Sequence, residues 1–152
     1  YVPGVAGFVN RYLAPLPLVK HLCLTTFIVA RPQATPTQAK PTCSVIVPAR
    51  NEAGNIAAAV ARLPQLGAHT EVIFVEGHSR DRTWATIQEL MQTYQGPFTL
   101  KAFQQTGRGK ADAVRLGFEQ ASGDILLILD ADLTVPPEDL PHFVEVLAAG
   151  YG

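Results

Sequence analysis

The sequence predicts an α/β protein whose mainly parallel sheet carries helices on both faces. Across residues 43–152, short apolar segments rich in valine, isoleucine and leucine alternate with longer segments whose apolar residues recur at helical spacing. The longer segments have the length that a crossover between parallel strands requires. Composition agrees, because 47% of the 152 residues are apolar and 16% are charged, which is typical of one folded domain without a long disordered region.

The first half of this pattern contains two strands, each followed by a helix. Residues 44–47 form a short apolar strand, and a helix is predicted over residues 52–63 with Asn51 as its N-cap. Residues 71–75 form the second strand, and the next helix is predicted over residues 81–94. The apolar stripe that should pack this second helix on the core consists of Trp84, Ile87, Met91 and Tyr94.

The second half repeats the alternation. A third strand is predicted over residues 98–103, a helix over 110–120 and a fourth strand over 125–129. Because the fourth strand has no polar interruption, we expect it to lie in the centre of the sheet. A final helix should open at Pro137, with acidic residues in its first turn, and run toward Leu147.

Residues 1–32 differ from the rest in charge and pattern. Residues 1–42 carry four basic and no acidic residues, whereas residues 43–152 carry eight basic and all 13 acidic ones. Residues 33–42 are polar with two prolines, which predicts a semi-extended linker. About 30 residues cannot bury a core of their own, so residues 1–32 are predicted to be the tail of a preceding domain or a packed extension. A basic, apolar segment lying on anionic lipid is the alternative.

Several classes of protein are disfavoured. Cys23 and Cys43 are too few and too far apart for a zinc cluster or a disulfide scaffold, and they predict small buried residues in a reducing compartment. The apolar stretch over residues 13–30 contains prolines, a lysine and a histidine, so it should not span a bilayer, and no secretory signal is found. Residues 107–110 do not form a Walker A loop, and no G-x-G-x-x-G follows the first strand, so a nicotinamide cofactor is not expected. We expect a cytoplasmic protein without a nucleic-acid partner.

Two carboxylates follow the fourth predicted strand, in Asp130-Ala131-Asp132. Residues two apart share one face of an extended chain, and carboxylate oxygens suit a hard cation such as Mg²⁺, which could carry a diphosphate. Polar segments also follow the other strands, at residues 48–52, 76–83 and 107–112. In such sheets, ligands bind at the carboxyl ends of the strands, so these segments should meet at one edge. Each segment taken alone also fits an ordinary solvated loop.

Taken in order, the segments resemble the donor-binding half of a family 2 glycosyltransferase with the GT-A, Rossmann-like fold, and they are similar to dolichyl- or polyprenyl-phosphate sugar synthases. The resemblance covers about residues 42–152 and rests on VIVPARNEAGNI, VIFVEGHSRDRTW, GRGKADAVRLGF and DILLILDADLTVPPEDL. It implies an inverting enzyme that uses a nucleotide-diphosphate sugar and holds Mg²⁺ or Mn²⁺ at the D-x-D motif. It also suggests a lipid-phosphate acceptor at the cytosolic face of a membrane. Residues 1–32 loosely resemble the C-terminal end of class I methyltransferases that use S-adenosylmethionine.

The resemblance implies a role for each segment at the nucleoside end of the donor. The backbone around Pro48, Ala49 and Arg50 would frame the base. Glu52 would face the nucleoside, and Glu76 would read the base or the ribose. After Glu76 the family usually has a second acid, which is missing here, so base selectivity stays open.

The remaining implied roles concern the diphosphate and the metal. Lys110, together with Arg108, would lie near the phosphates. Asp130 and Asp132, on either side of Ala131, would contact the ribose and the metal, with Asp132 as the first choice of direct ligand. The similar synthases have a glutamine two positions later that can join the metal, whereas this chain has Thr134.

No catalytic residue is assigned in this chain. An inverting transfer needs a carboxylate that takes the proton from the acceptor, and the family has that base after the D-x-D helix, so we expect it beyond Gly152. The 152-residue chain alone is therefore expected to bind nucleotide poorly and to transfer no sugar. A non-catalytic nucleotide-binding or scaffold domain of the same fold is the main alternative. A sugar-nucleotide pyrophosphorylase is a lesser alternative, because residues 48–52 lack the glycine-rich loop of those enzymes.

Overall fold

The computed structural model describes residues 40–149, which contain one four-stranded parallel sheet. The strands are β1 (Cys43–Ala49), β2 (Thr70–Glu76), β3 (Thr99–Gln104) and β4 (Ile125–Ile128). Their order is β3-β2-β1-β4, and every pairing is parallel. The predicted α/β class is confirmed. The predictions for residues 1–32 and for most of the linker fall outside the described residues and stay predictions.

Within residues 40–149, four helices cover the two faces of the sheet. They are α1 (Ile56–Ala61), α2 (Thr83–Thr93), α3 (Lys110–Gln120) and α4 (Leu140–Ala148), with one 3₁₀ turn (Pro137–Asp139) before α4. Buried residues of α1, α2 and α4 form one apolar cluster with one face of the strands. Helix α3 packs on the opposite face, where the strands present Ile46, Ile73 and Val75. No helix within residues 40–149 is long and apolar enough to cross a membrane.

Strands β1 and β2 form the buried centre, and β4 is not central among the described strands. Every residue of β2 is buried, whereas β4 pairs with β1 alone. Leu127 and Leu129 of the β4 segment are buried under the helices, but Leu126 and Ile128, on the α3 side of the sheet, are 40% and 45% exposed. An apolar run indicates that a strand has apolar side chains on both faces. It does not indicate how many strands pair with that strand, so it could not predict a central position.

Two details of the predicted helices are wrong. Helix α1 begins at Ile56 after the N-cap Asn55, not at Glu52 after Asn51, because Asn51 instead bonds with the loop that follows β2. In α2, Ile87 is fully buried as expected, but Met91 is 40% exposed. Helix α3 begins and ends where the sequence predicts.

A buried carboxylate fastens the amino-terminal end of the sheet. Glu71 of β2 has a side chain that is only 4% exposed, and Lys101 Nζ of β3 lies 2.6 Å from its Oε2. Its Oε1 accepts hydrogen bonds from the Ser44 hydroxyl at 2.5 Å and the Ser122 N–H at 2.6 Å. Burial raises the pKa of Glu71, but these partners outweigh burial and lower it to about 2. This cluster lies at the end of the sheet opposite to the polar edge.

Cys43 is also at this end. It is buried, as the sequence predicts, and its thiol is free, whereas Cys23 falls outside the described residues.

Candidate functional site

A cavity of about 340 Å³ opens at the carboxyl edge of the sheet, where the loops after all four described strands meet. Eight of the ten residues that the sequence singles out line this cavity: Pro48, Ala49, Arg50, Glu52, Lys110, Asp130, Ala131 and Asp132. The cavity also has lining residues that the sequence did not single out: Val75, Gly77, Gln105, Gly109 and Ala113. The edge expected from the strand order therefore exists, and it gathers segments that are up to 84 residues apart in sequence, from Pro48 to Asp132.

Three residues at this edge have a backbone conformation that side chains disfavour. Among residues 40–149, the non-glycine residues with positive φ are Asn51, His78 and Leu133, at 57°, 58° and 57°. Each lies in a loop that follows a strand, after β1, β2 and β4 respectively. Such conformations cost energy and cluster at binding sites, where the surrounding structure holds them.

Hydrogen bonds join the loop after β1 to the loop after β2. The Asn51 N–H donates to the Ser79 hydroxyl at 3.0 Å, and the Arg80 N–H donates to Asn51 Oδ1 at 2.8 Å. The Glu52 N–H donates to the Thr83 hydroxyl at 2.9 Å. These bonds fix the backbone of residues 50–52, which forms one wall of the cavity.

Glu76 lies beneath this wall and does not line the cavity. It is 2% exposed, and its carboxylate accepts hydrogen bonds from the Ser79 N–H at 2.5 Å and from the Gln104 side-chain amide at 3.0 Å. Burial raises the pKa of Glu76, but these hydrogen bonds outweigh burial and leave the pKa below its usual value. Glu76 is thus an ionised anchor for the loop after β2.

The carboxylates after β4 are held in two different ways. Lys110 Nζ lies 2.5 Å from Asp130 Oδ1, in an ion pair whose side chains are 60% and 41% exposed. Asp132 Oδ1 accepts a hydrogen bond from the Thr134 N–H at 3.0 Å. Hydrogen bonds from Thr134 and the charge of Lys110 lower the pKa of Asp132, so this carboxylate is ionised at neutral pH.

These carboxylates fit a divalent cation that takes its other ligands from elsewhere. No group of three or more His, Cys, Asp or Glu side chains able to hold a metal occurs in the described part of the chain. Mg²⁺ commonly binds through one or two protein carboxylates and completes its shell with water and substrate phosphates. The donor set of Asp130 and Asp132 fits that mode and not a closed protein cage.

The start of α3 adds a place for phosphate beside the carboxylates. Gly109, its N-cap, has φ 86° and ψ 166°, a conformation that is essentially limited to glycine. No side chain caps this helix, so its first N–H groups are open to a ligand. Backbone N–H groups at a helix start, together with the Lys110 ammonium, favour an anion.

A second cavity of about 680 Å³ adjoins the first and is strongly basic. Arg50, Arg80 and Arg108 line it, and no acidic residue is among its described lining residues. The His78 ring lies 3.0 Å from the Gly107 carbonyl oxygen and joins the loop after β2 to the loop after β3. Arg108 therefore lines this second cavity and not the first, and its predicted role near the phosphates stays a prediction.

The chain is similar in sequence to known proteins. The family model for Glycosyl transferase family 2 matches residues 44–152. A dolichol-phosphate mannosyltransferase of Pyrococcus furiosus is 37% identical over 110 residues, covering 70% of this chain and 30% of that protein. An undecaprenyl-phosphate 4-deoxy-4-formamido-L-arabinose transferase of Pseudomonas aeruginosa is 34% identical over 112 residues, covering 71% and 33%. The chain thus spans about a third of the length of these curated relatives.

Solved structures give a consistent result. The mannosyltransferase PcManGT of Pyrobaculum calidifontis, in complex with GDP-Man and Mn²⁺, has a TM-score of 0.61 at 27% identity over 95% of this chain and 42% of its own. Glucosyl-3-phosphoglycerate synthase of Mycobacterium tuberculosis, in complex with UDP, has a TM-score of 0.60 at 25% identity over 74% of this chain and 42% of its own. These similarities confirm the GT-A, Rossmann-like fold class that the sequence predicts.

Proposed function

Because the chain belongs to glycosyl transferase family 2, we propose that its carboxyl-edge cavity binds the nucleotide-diphosphate sugar donor of a glycosyltransferase. The observation that carries this proposal is the meeting of Asp130, Asp132, Lys110 and the wall of residues 48–52 in one cavity. A pyrophosphorylase is not supported by the family match, so the proposed reaction is transfer of the sugar to an acceptor.

The charges in the cavity explain why a divalent cation belongs to this proposal. A diphosphate brings at least two negative charges toward the carboxylates of Asp130 and Asp132, and at contact distance such charges repel one another. Lys110 supplies one positive charge, and it already pairs with Asp130. A Mg²⁺ or Mn²⁺ ion bound with the donor would offset this repulsion and stabilise the negative charge of the leaving nucleotide.

The chain's own residues have distinct tasks in the proposed complex. Asp132 and Asp130 hold the cation, and Lys110 with the N–H groups at the start of α3 holds the phosphates. The rigid backbone of residues 48–50 and Glu52 bound the nucleoside, while buried Glu76 fixes the loop after β2 instead of touching the ligand.

The acceptor is proposed from the relatives. Those named above are a dolichol-phosphate and an undecaprenyl-phosphate sugar transferase. We therefore propose a polyprenyl phosphate as the acceptor, with the protein working at the cytosolic surface of a membrane. The general base of the transfer is not assigned to any residue of this chain.

Nucleotide binding to the Asp132→Ala variant tests the donor site. An ¹⁵N NMR titration of the 152-residue chain with UDP, GDP and their sugars in the presence of Mg²⁺ detects even millimolar affinities. We expect wild-type protein to show saturable shifts at the cavity and Asp132→Ala to bind at least tenfold more weakly, because it loses a charged metal ligand.

The matched control is Asp139→Ala, which removes an exposed aspartate outside the cavity and should bind like wild type. Equal binding by wild type and Asp132→Ala would contradict the metal assignment. Absence of binding by wild type would instead favour the scaffold alternative.

A further inference from the structure

We propose that the second, basic cavity is a phosphate-binding site, and that it binds a phosphate group other than the diphosphate of the donor. The ligand class is a phosphate with two free acidic oxygens, either inorganic phosphate or a phosphate monoester, which carries about two negative charges at neutral pH. This inference goes beyond the proposed function, because the second site needs neither the carboxylates after β4 nor a metal ion.

The arginines of this cavity have no ion-pair partner. The arginines that line it are Arg50, Arg80 and Arg108. The other arginines of residues 40–149 each pair with a carboxylate, and they are Arg62, Arg82 and Arg115. All 13 acidic side chains of the chain lie within residues 40–149, so none is left elsewhere to pair with the first group. The arginines without a partner are therefore those that meet at the basic cavity.

The backbones that carry these arginines are fixed to one another. The Arg80 N–H donates to Asn51 Oδ1 at 2.8 Å, which joins the loop after β2 to the loop after β1. The His78 ring lies 3.0 Å from the Gly107 carbonyl oxygen, which joins the loop after β2 to the loop after β3. Both Asn51 and His78 have positive φ, at 57° and 58°. The fold thus holds three like charges around one cavity in strained loops, as is found at binding sites.

The carboxylates of the same loops do not offset these charges. Glu52, Asp81 and Asp112 each accept a hydrogen bond from a residue close by in sequence. Glu76 is 2% exposed and lies beneath the loop after β2. None of these carboxylates lines the basic cavity. A bound ligand must therefore supply the negative charge.

Phosphate is the anion that suits this set of side chains. A guanidinium group is planar, keeps its charge at every physiological pH and presents a fork of N–H donors that matches two phosphate oxygens. A neutral ligand would leave the repulsion among the three guanidinium groups in place, whereas a dianion relieves it. Arginine clusters of this kind bind phosphate through short, charge-assisted hydrogen bonds.

The bound phosphate is distinct from the phosphates of the proposed transfer. Asp130, Asp132 and Lys110, which are proposed to hold the donor's diphosphate and its metal, do not line the basic cavity. Arg80 follows β2 and Arg108 follows β3, which lie two and three strand spacings from β4, about 10 and 14 Å. The acceptor's phosphate must come within about 3.5 Å of the sugar carbon that is joined to the diphosphate. A phosphate between Arg80 and Arg108 is too far away for either role.

An NMR titration of the 152-residue chain with inorganic phosphate tests the site. The titration is carried out in EDTA, and sodium chloride keeps the ionic strength constant. We expect saturable shifts in the loops after β1, β2 and β3. Arg80→Gln should bind phosphate about fivefold or more weakly, because it removes one of three charged donors. Arg80 is the residue to change because it is exposed and lines the basic cavity but not the donor cavity.

Two control variants complete this test, and Arg108→Gln replaces Arg80→Gln if the latter fails to fold. Arg115→Gln loses the same charge at a position of α3 that is 71% exposed, and it should bind phosphate like wild type. Asp132→Ala should also bind phosphate like wild type, because the site needs no metal. Absence of saturable binding by wild type, unchanged binding by Arg80→Gln and Arg108→Gln, or equal weakening by Arg115→Gln would overturn the inference.

Vesicles distinguish the two sources of such a phosphate. Cosedimentation compares wild type and Arg80→Gln on phosphatidylcholine vesicles with and without phosphatidic acid, whose headgroup is a phosphate monoester. Binding that requires phosphatidic acid and is weaker in Arg80→Gln would assign the site to a lipid headgroup. Saturable binding of inorganic phosphate without binding to either type of vesicle would assign it to a soluble phosphate.

The outcomes also separate this inference from the proposed function. If nucleotide binds with Mg²⁺ but inorganic phosphate does not bind, or if phosphate binding is lost in Asp132→Ala, only the inference about the basic cavity fails. If phosphate binds at the arginines while no nucleotide binds, the proposed donor site fails and the phosphate site stands.

Discussion

At the scale of single residues, the role that each carboxylate can have depends on its burial and on its hydrogen-bond partners. Asp130 and Asp132 are partly or fully exposed at the cavity, and each keeps oxygens that a cation could use. Glu71 and Glu76 are buried, and hydrogen-bond partners occupy both oxygens of each. The first pair is suited to binding and the second to holding loops and strands together.

The first prediction concerns the contribution of Glu71 to folding stability at acid pH. Because its folded-state pKa is lowered to about 2 from 4.5, Glu71 stabilises the fold fully above pH 4.5, and this contribution is lost as the pH falls toward 2. The free energy of unfolding should fall by roughly 3 kcal/mol across this range on account of Glu71. Glu76, whose pKa is also lowered, adds to the loss in the same direction.

Urea denaturation at a series of pH values measures this effect. The Glu71→Gln variant should be less stable than wild type at pH 7 and should show a flatter pH profile between pH 5 and 2. If the free energy of unfolding of Glu71→Gln falls with pH as steeply as that of wild type, Glu71 is not responsible for the loss of stability in acid.

The sequence predicted much of the site at this scale, for a physical reason. A residue that directly follows a strand must lie at the edge of the sheet, which is why eight of ten predicted residues line the cavity. The direction of a side chain depends also on partners that are distant in sequence, such as the Gln104 amide, which together with the nearby Ser79 N–H draws Glu76 inward.

At the scale of elements, the position of α3 depends on a close approach to β1. A Cβ added at Gly117 of α3 would lie 2.4 Å from Ile46 Cγ2 and 2.9 Å from Ile46 Cγ1. Only glycine allows the helix to pack this near to the sheet. The first turn of the same helix carries Lys110 and lies beside the carboxylates.

The second prediction is that Gly117→Ala destabilises the protein. The added methyl group must push α3 away from Ile46, which should cost about 1–3 kcal/mol, although alanine is ordinarily the better helix former. Gly54→Ala is the control, because nothing lies within 4 Å of a Cβ there, and it should be neutral or stabilising by up to about 1 kcal/mol. Thermal or urea denaturation compares them.

A double variant identifies the cause. If the methyl group collides with Ile46, the double variant Gly117→Ala/Ile46→Ala should lose less stability than the two single variants lose in sum. The reason is that the smaller residue at position 46 makes room for the methyl group. Additive costs would show that the contact with Ile46 is not responsible.

The bounds of an element were predicted well where residues within the segment determine them. They were predicted less well where contacts with other elements determine them. Helix α3 has the predicted bounds, since a glycine at its N-cap and the apolar spacing define it within the segment. Helix α1 is shorter than predicted because residues 51–53 bond with the loop after β2 instead of beginning a helix. The neighbours of β4 could not be deduced from its apolar residues alone.

At the scale of the whole molecule, the described sheet gathers the candidate binding residues at one edge. It supplies only part of the ligand set that a metal ion needs there. The protein supplies two carboxylates and one lysine at the proposed diphosphate position, and nowhere in residues 40–149 does it supply a complete metal cage. The binding of metal and the binding of nucleotide should therefore depend on each other. Each should bind weakly alone, and each should raise the affinity of the other by the same factor.

The measurement that tests this central claim most directly is a binding cycle on the 152-residue chain. The affinity for the better of UDP and GDP is measured in EDTA and in saturating Mg²⁺, and the affinity for Mg²⁺ is measured without and with that nucleotide. We expect each ligand to raise the affinity for the other by about tenfold or more, which corresponds to at least roughly 1.4 kcal/mol of coupling. Nucleotide binding of equal strength in EDTA and in Mg²⁺ would contradict it, as would tight Mg²⁺ binding without nucleotide.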